Sequence, residues 1–519
     1  MKSNLKLREK IGQMVMTGYD GTRLVPSIET ILTKSKIGNM ILFSRNIKSA
    51  RQTRYLCTEI QHFMMENNGI PAFIAIDQEG GMVSRVPIDA TNLPGNMAVS
   101  ATGDPRNAQI AGEITASELH AMGINIDFAP VLDINTNRDN PVIGVRSYGD
   151  RKETVSEYGV AMINGLKSNG VMSVAKHFPG HGDTSVDSHF GLPQVDKTFR
   201  EISQNELVPF QSAISAGIEG IMTAHILFPK IDKEKLPCTM SRTILTGILR
   251  ERMKFRGIIF TDCLEMNAIQ KHYGIAEAAV AAVKAGADMI LVSHTASAAA
   301  EAVDRIEAAV HSGEISERSI DKSVQRILFY KEKYAQYDIT STDFSVIGCT
   351  AHRKKAQAIS RASITAVRYP AGYIKEWNRT LFIGCHADII TPVSDKIADH
   401  FNFADYMAAE TGAQGLVIPI NPNEKEISEI LEKAKCFNQI IIGTYNGCRN
   451  KGQIDLVNRF CKTGKDILVI ALRNPYDLSL IDKRAEAMAA YEYTPLSFRS
   501  ILDVLAGGMV PLGRLSVNI

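Results

Sequence analysis

The sequence predicts two α/β units in tandem, a (β/α)8 TIM-type barrel followed by a smaller doubly wound α/β sandwich domain. Three observations carry the prediction. The chain has 519 residues, too many for one hydrophobic core of ordinary size. Apolar, β-branched runs recur along its first two thirds, and helix-patterned stretches separate many of them. Beyond a polar stretch rich in Ser and Thr, the same alternation starts again.

In chain order, strands are expected near Gly38–Phe43, Ala72–Ile76, Ile124–Ala129, Val171–Ala175, Gly220–Thr223, Gly257–Thr261 and Asp288–Val292. That is one fewer than a closed barrel of this kind requires. A short strand near Pro237–Met240 is the expected missing member, and an amphipathic helix from about Glu317 to Tyr337 closes the unit. Residues 1–335 are read as the barrel, 336–350 as a linker and 351–519 as the second domain. In that domain strands are expected near Leu381–Gly384, Gly415–Ile420, Gln439–Gly443, Ile467–Ala471 and Ala487–Tyr491. Helices are expected around Asp395–His400, Glu424–Lys435 and Gln453–Lys462.

Composition narrows the function classes. A formal net charge of +2 gives no footprint for nucleic acid or an anionic membrane surface, and no apolar run is long enough to span a bilayer. The first residues carry charges where a secretory signal needs an apolar centre, so a cytoplasmic location is expected. The eight cysteines are dispersed without a Cys-x-x-Cys pair, which argues against a disulfide framework and against a structural zinc site. Nothing in the sequence indicates an oligomeric state.

The densest chemistry lies between Lys176 and His189, which reads Lys-His-Phe-Pro-Gly-His-Gly-Asp-Thr-Ser-Val-Asp-Ser-His. Such a segment packs no core, and it follows the expected strand Val171–Ala175. Asp77, His225 and Asp262 also fall just past expected strands. Each alone has a bland explanation, a turn or helix cap for the aspartates and a satisfied core histidine for His225. Repeated placement at the same end of successive strands favours an active site, because those loops converge on one face of a barrel.

These residues also carry a family resemblance. The chain resembles glycoside hydrolase family 3, in its β-N-acetylglucosaminidase branch. The resemblance rests on Asp77-Gln78-Glu79-Gly80-Gly81-x-Val83-x-Arg85, Asn140-Pro141-Val142-Ile143-Gly144-x-Arg146-Ser147-Tyr148-Gly149, the Lys176–His189 segment, and Thr261-Asp262-x-Leu264-x-Met266. The second domain is similar to the extra carboxyl-terminal domain of Gram-positive-type members, down to Pro511-Leu512-Gly513-Arg514-Leu515. The resemblance implies that Asp262 is the nucleophile, that Asp187 and His189 form the acid/base dyad, and that Asp77, Arg146, Lys176 and His177 bind sugar hydroxyls. It implies no metal and no organic cofactor. The substrate it implies is a small N-acetylglucosaminide from cell-wall or chitin-type fragments.

The chemistry fits independently. Retaining glycoside cleavage needs one group to attack the anomeric carbon and another to protonate the leaving oxygen. An imidazole can exchange protons near neutral pH, and a carboxylate two residues away can orient it. A neutral imidazole also spares an incoming phosphate the repulsion a carboxylate would exert, so phosphorolysis to a sugar 1-phosphate is the alternative to hydrolysis. Gly180 and Gly182 are read as hinges that let His189 swing over the sugar. His181 and Asp183 are read as loop-internal hydrogen-bonding groups.

Two other enzyme classes are weighed. His177, His181, Asp183 and His189 have the types of metal ligands, but a hinged loop is a poor cage. Lys176 at a strand end could form a Schiff base, which would need a depressed pKa and an apolar pocket that the nearby aspartates contradict.

Overall fold

A computed structural model describes residues 5–185, 192–335, 337–338, 342–369, 376–387 and 401–519. Asp187, His189 and the expected helix Asp395–His400 lie outside the described residues. The barrel strands are β1 (Val15–Thr17), β2 (Asn39–Leu42), β3 (Phe73–Ile76), β4 (Ile126–Asp127), β5 (Met172–Phe178), β6 (Gly220–Thr223), β7 (Ile258–Phe260) and β8 (Ile290–Val292). From β1 to β7 each pairs in parallel with the next, and β1 pairs with β8 through Val15↔Ile290, Met16↔Leu291 and Thr17↔Val292. A parallel bridge from Phe260 to Met289 joins β7 to the residue before β8 and closes the ring. Every one of these strand residues is buried, as near-continuous apolar runs require when helices cover a parallel sheet.

The fold class is the one the sequence predicts, with one correction inside the barrel. The missing strand is β1, near the amino terminus. Pro237–Met240 does not form a strand: Cys238–Met240 is a 3-10 turn, braced by Cys238 N–H donating to the Ile226 carbonyl. The closing helix, Glu317–Tyr334, starts from a Ser316 cap whose hydroxyl accepts from Ser319 N–H.

The second sheet contains β9 (Thr365–Arg368), β10 (Thr380–Cys385), β11 (Gln414–Ile418), β12 (Gln439–Thr444), β13 (Asp466–Ala471) and β14 (Glu486–Ala489). Its order is β11-β10-β12-β13-β14-β9, parallel throughout except that β9 runs antiparallel to β14. β9 was not anticipated. Strand order reverses between β10 and β12, the signature of a doubly wound sheet. Among its helices, Glu424–Lys433 begins in a capping box formed by Asn423 and Glu426.

The two sheets share a packed seam. Met97, Ala98 and Ala101, on the helix Asn96–Ala101, and Val145 come from the barrel half of the chain, yet pack into the core of the second sheet.

Candidate active site

The loop after β3 turns sharply because Gly80 and Gly81 take φ of 85° and 58°, conformations a side chain resists. The turn is held by Gln78, whose N–H donates to Asp127 and whose side-chain oxygen accepts from Arg85 N–H at 2.8 Å. It leaves Asp77 at the mouth of the barrel and Glu79 buried beneath it.

Glu79 is the hub of a buried charge cluster. Arg146, on a 3-10 turn in the long loop after β4, donates to both its oxygens, at 2.8 and 2.7 Å. Lys176, at the end of β5, places Nζ 2.8 Å from Glu79 and 2.6 Å from Asp77. Burial alone would push the Glu79 carboxyl up, but Arg146 and Lys176 more than offset this and hold it below the usual carboxylate range. The ammonium of Lys176 works against the same burial, and Asp77 and Glu79 together raise its pKa. A charged lysine between two carboxylates is a hydrogen-bond donor, not a Schiff-base nucleophile.

His177 is held from behind by Asp133, whose Oδ2 lies 2.7 Å from Nδ1. Because a carboxylate only accepts, Nδ1 carries a proton and Nε2 is the nitrogen left for a ligand. Asp133 also takes the backbone N–H of His181 at 2.7 Å. Burial works to raise the Asp133 carboxyl, and His177 and His181 hold it low. His181 is itself buried, which lowers its pKa to about 4, and its Nδ1 lies 2.8 Å from the Thr184 hydroxyl.

Asp262 follows β7 and is half-buried, with Oδ1 accepting from Cys263 N–H at 2.7 Å. His225 sits behind it as a satisfied core group, 2.8 Å from the Thr239 hydroxyl and 3.0 Å from the Cys263 carbonyl.

A cavity of about 300 Å3 opens at this face, at the small end of the ~300–1,000 Å3 typical of ligand pockets. Asp77, Arg146, Lys176, His177 and Asp262 all line it. So do residues that sequence reasoning did not single out: Arg85, Glu265 and His294. Glu265 accepts from the His294 N–H at 2.6 Å, and the His294 ring leans on Phe43 with centroids 4.9 Å apart. Asp133 was also missed, although an aspartate amid Pro130-Val131-Leu132 just past an expected strand is the same signal that found Asp77. Among the described residues, no three His, Cys, Asp or Glu side chains gather as a metal site. No described helix is long and apolar enough to cross a membrane.

Gly180 and Gly182 are closely packed. A Cβ on Gly182 would lie 1.7 Å from the Ile134 carbonyl oxygen, and one on Gly180 would meet the Glu206 side chain. Asp183 accepts from the Thr136 hydroxyl, in the loop after β4, and pairs with Lys197 at 2.9 Å, so it is a hydrogen-bonding group that ties its own loop to a neighbouring one.

A polar pocket at the carboxyl ends of barrel strands is where enzymes of this architecture hold their substrates. Residues 6–329, more than half of the chain, match the Glycosyl hydrolase family 3 N terminal domain, and the protein belongs to that family. The chain is similar over 99% of both lengths to a family 3 β-N-acetylglucosaminidase from Paenibacillus sp. strain FPU-7, with 38% identity and a TM-score of 0.92. A fungal multi-domain family 3 β-N-acetylglucosaminidase superposes with a TM-score of 0.91 at 32% identity, over 99% of this chain and 61% of that one. Beta-hexosaminidase A of Pseudoalteromonas piscicida is 35% identical over 372 residues, which is 67% of this chain and 62% of that protein.

Proposed function

We propose that the protein is an exo-acting, retaining β-N-acetylglucosaminidase. One observation carries the reading: Asp77, Arg146, Lys176, His177 and Asp262, from four different strand ends, converge on one pocket with room for a single sugar ring. Asp262 attacks the anomeric carbon. His189, oriented by Asp187, protonates the departing oxygen and then deprotonates the water that releases the sugar from Asp262. Lys176 and Arg146 donate to the sugar's hydroxyls, Asp77 accepts from them, and His177 offers Nε2. Glu79 takes no part in the reaction; its carboxylate holds Arg146 and Lys176 in place, so that binding does not require them to reorganise.

The substrates are cell-wall (muropeptide) or chitin-type fragments ending in N-acetylglucosamine, met in the cytoplasm. Family membership and the names of the relatives support the sugar. The barrel, residues 1–335, supplies the reacting groups, and residues 351–519 form a separate domain. Phosphate is the competing acceptor, since an imidazole acid/base does not repel it.

Product analysis tests this reading. N-Acetylglucosaminyl-N-acetylmuramic-type and chitobiose substrates, followed by NMR, should release N-acetylglucosamine first as its β-anomer. The α-anomer appearing first, or no release from either substrate, overturns the proposal. A substantial yield of sugar 1-phosphate when phosphate is present would make the phosphorylase reading the better one.

A further inference from the structure

The loop after β4 carries more of the site than Arg146. Its residues 134–140 form the seat of the segment that leads towards His189. Asn137 N–H donates to the Gly182 carbonyl at 3.2 Å, and its side-chain amide donates to the Thr184 carbonyl at 3.0 Å. Asn140 donates to the His181 carbonyl at 2.8 Å. Gly182 lies so close to Ile134 that no side chain fits between them. Asp133, at the start of the same loop, holds His177 and His181. A shift of this loop therefore moves a binding histidine and the root of the acid/base segment together.

The second domain grips this loop. Tyr476, buried just past β13, accepts a hydrogen bond at 2.9 Å from the side-chain amide of Asn135. The Asn135 amide oxygen has no partner among the described residues, so the Tyr476 hydroxyl is the anchor of that buried side chain. Arg138 lies over the Tyr476 ring, 5.1 Å from its centroid, and Arg449, past β12, donates to the Asp139 carbonyl at 3.1 Å. Asp477 fastens the two second-domain loops into one block, accepting from Gly447 and Cys448 N–H, both at 2.8 Å.

We infer that Tyr476 is a positioning residue of the glycosidase reaction, acting through Asn135 on the 134–140 seat, with Arg449 assisting at its rim. The inference rests on the reading of His189 as the general acid. Tyr476→Phe removes one oxygen and leaves a buried amide donor unpaired, which costs more than the hydrogen bond itself. The seat then relaxes, and proton delivery suffers because small misplacements are expensive: about 1 Å can cost ~10²-fold.

The test compares glycosylation of chitobiose with that of an activated aryl N-acetylglucosaminide, whose leaving group departs without protonation. Tyr476→Phe should lower kcat/KM on chitobiose about 10-fold, a fraction of the ~10²–10⁴-fold worth of a general acid, and change the aryl substrate by less than about 2-fold. Arg449→Met, at an exposed position, should show the same selectivity more weakly and guards against a folding defect in the first variant. A purely structural role would lower both substrates together, and that result, or no effect on either, overturns the inference. His189→Ala is measured alongside. If it is selective for chitobiose and Tyr476→Phe is not, the inference about Tyr476 alone fails. If His189→Ala is unselective, the assignment of the acid fails and the inference falls with it.

Discussion

Among single residues, Glu79 sets the electrostatics of the pocket without facing it as a reacting group. Arg146 and Lys176 are both buried cations, and Glu79 is the buried anion that pairs with each of them. Glu79→Gln should destabilise the protein by about 3–5 kcal/mol at neutral pH, the usual loss when one member of a buried ion pair is removed. Because the folded carboxyl titrates below its unfolded value, its contribution is complete above about pH 4.5 and is lost as pH falls towards the folded pKa. The gap in Tm between the variant and the parent should therefore narrow at about pH 3. An equal gap at both pH values contradicts the depressed pKa. This residue also marks where sequence reading stopped. Asp77, Lys176, His177 and Asp262 were legible because each lies just past a strand, or at its end, in a motif of recognisable type. Glu79 and Asp133 stood in or beside the same motifs, but their roles depend on partners 67 and 44 residues away, which no local pattern announces.

Among elements, the strands that were legible are those with long apolar, β-branched runs, such as β5 and β12. β1 escaped because it has three residues, Val15-Met16-Thr17, and follows directly on the helix Leu7–Gln13, so the two share one apolar stretch. Near Cys238 the opposite error arose. Three residues that are wholly buried but bonded to a loop carbonyl read like a strand, since burial alone leaves the same apolar signature in both. β9 was hidden for a third reason: its pattern is one buried residue followed by an exposed and two half-buried ones, as befits a sheet edge. The glycines of the 180–182 segment are legible as special positions, and the structure adds that Gly182 lies against the Ile134 carbonyl. Close backbone approach demands glycine there, and the neighbour that imposes it is not visible in the local sequence.

At the scale of the whole molecule, the sequence announced two α/β units but not their shared seam, since contacts such as Asn135 to Tyr476 span 341 residues. Glu492 lies in that seam. Its carboxylate accepts from the Gly95 N–H at 2.8 Å, and burial pushes its pKa up to about 7. A carboxyl raised on folding stabilises fully below its unfolded pKa, and that contribution is lost as pH rises from about 4.5 through 7. Glu492→Gln, neutral at every pH, should therefore gain Tm relative to the parent at about pH 8 and gain none at about pH 4. A constant difference across that range would show that the group does not titrate there.

The central claim, that a single pocket performs covalent chemistry on Asp262, is most directly tested by trapping. A fluorinated N-acetylglucosaminyl donor slows breakdown of the glycosyl intermediate, and peptide mass spectrometry then locates the sugar. The account predicts one sugar per chain, on the peptide containing Asp262, and none on Asp262→Asn. Label on another carboxylate, or an unlabelled protein that releases an acetamido-derived oxazoline, would contradict it.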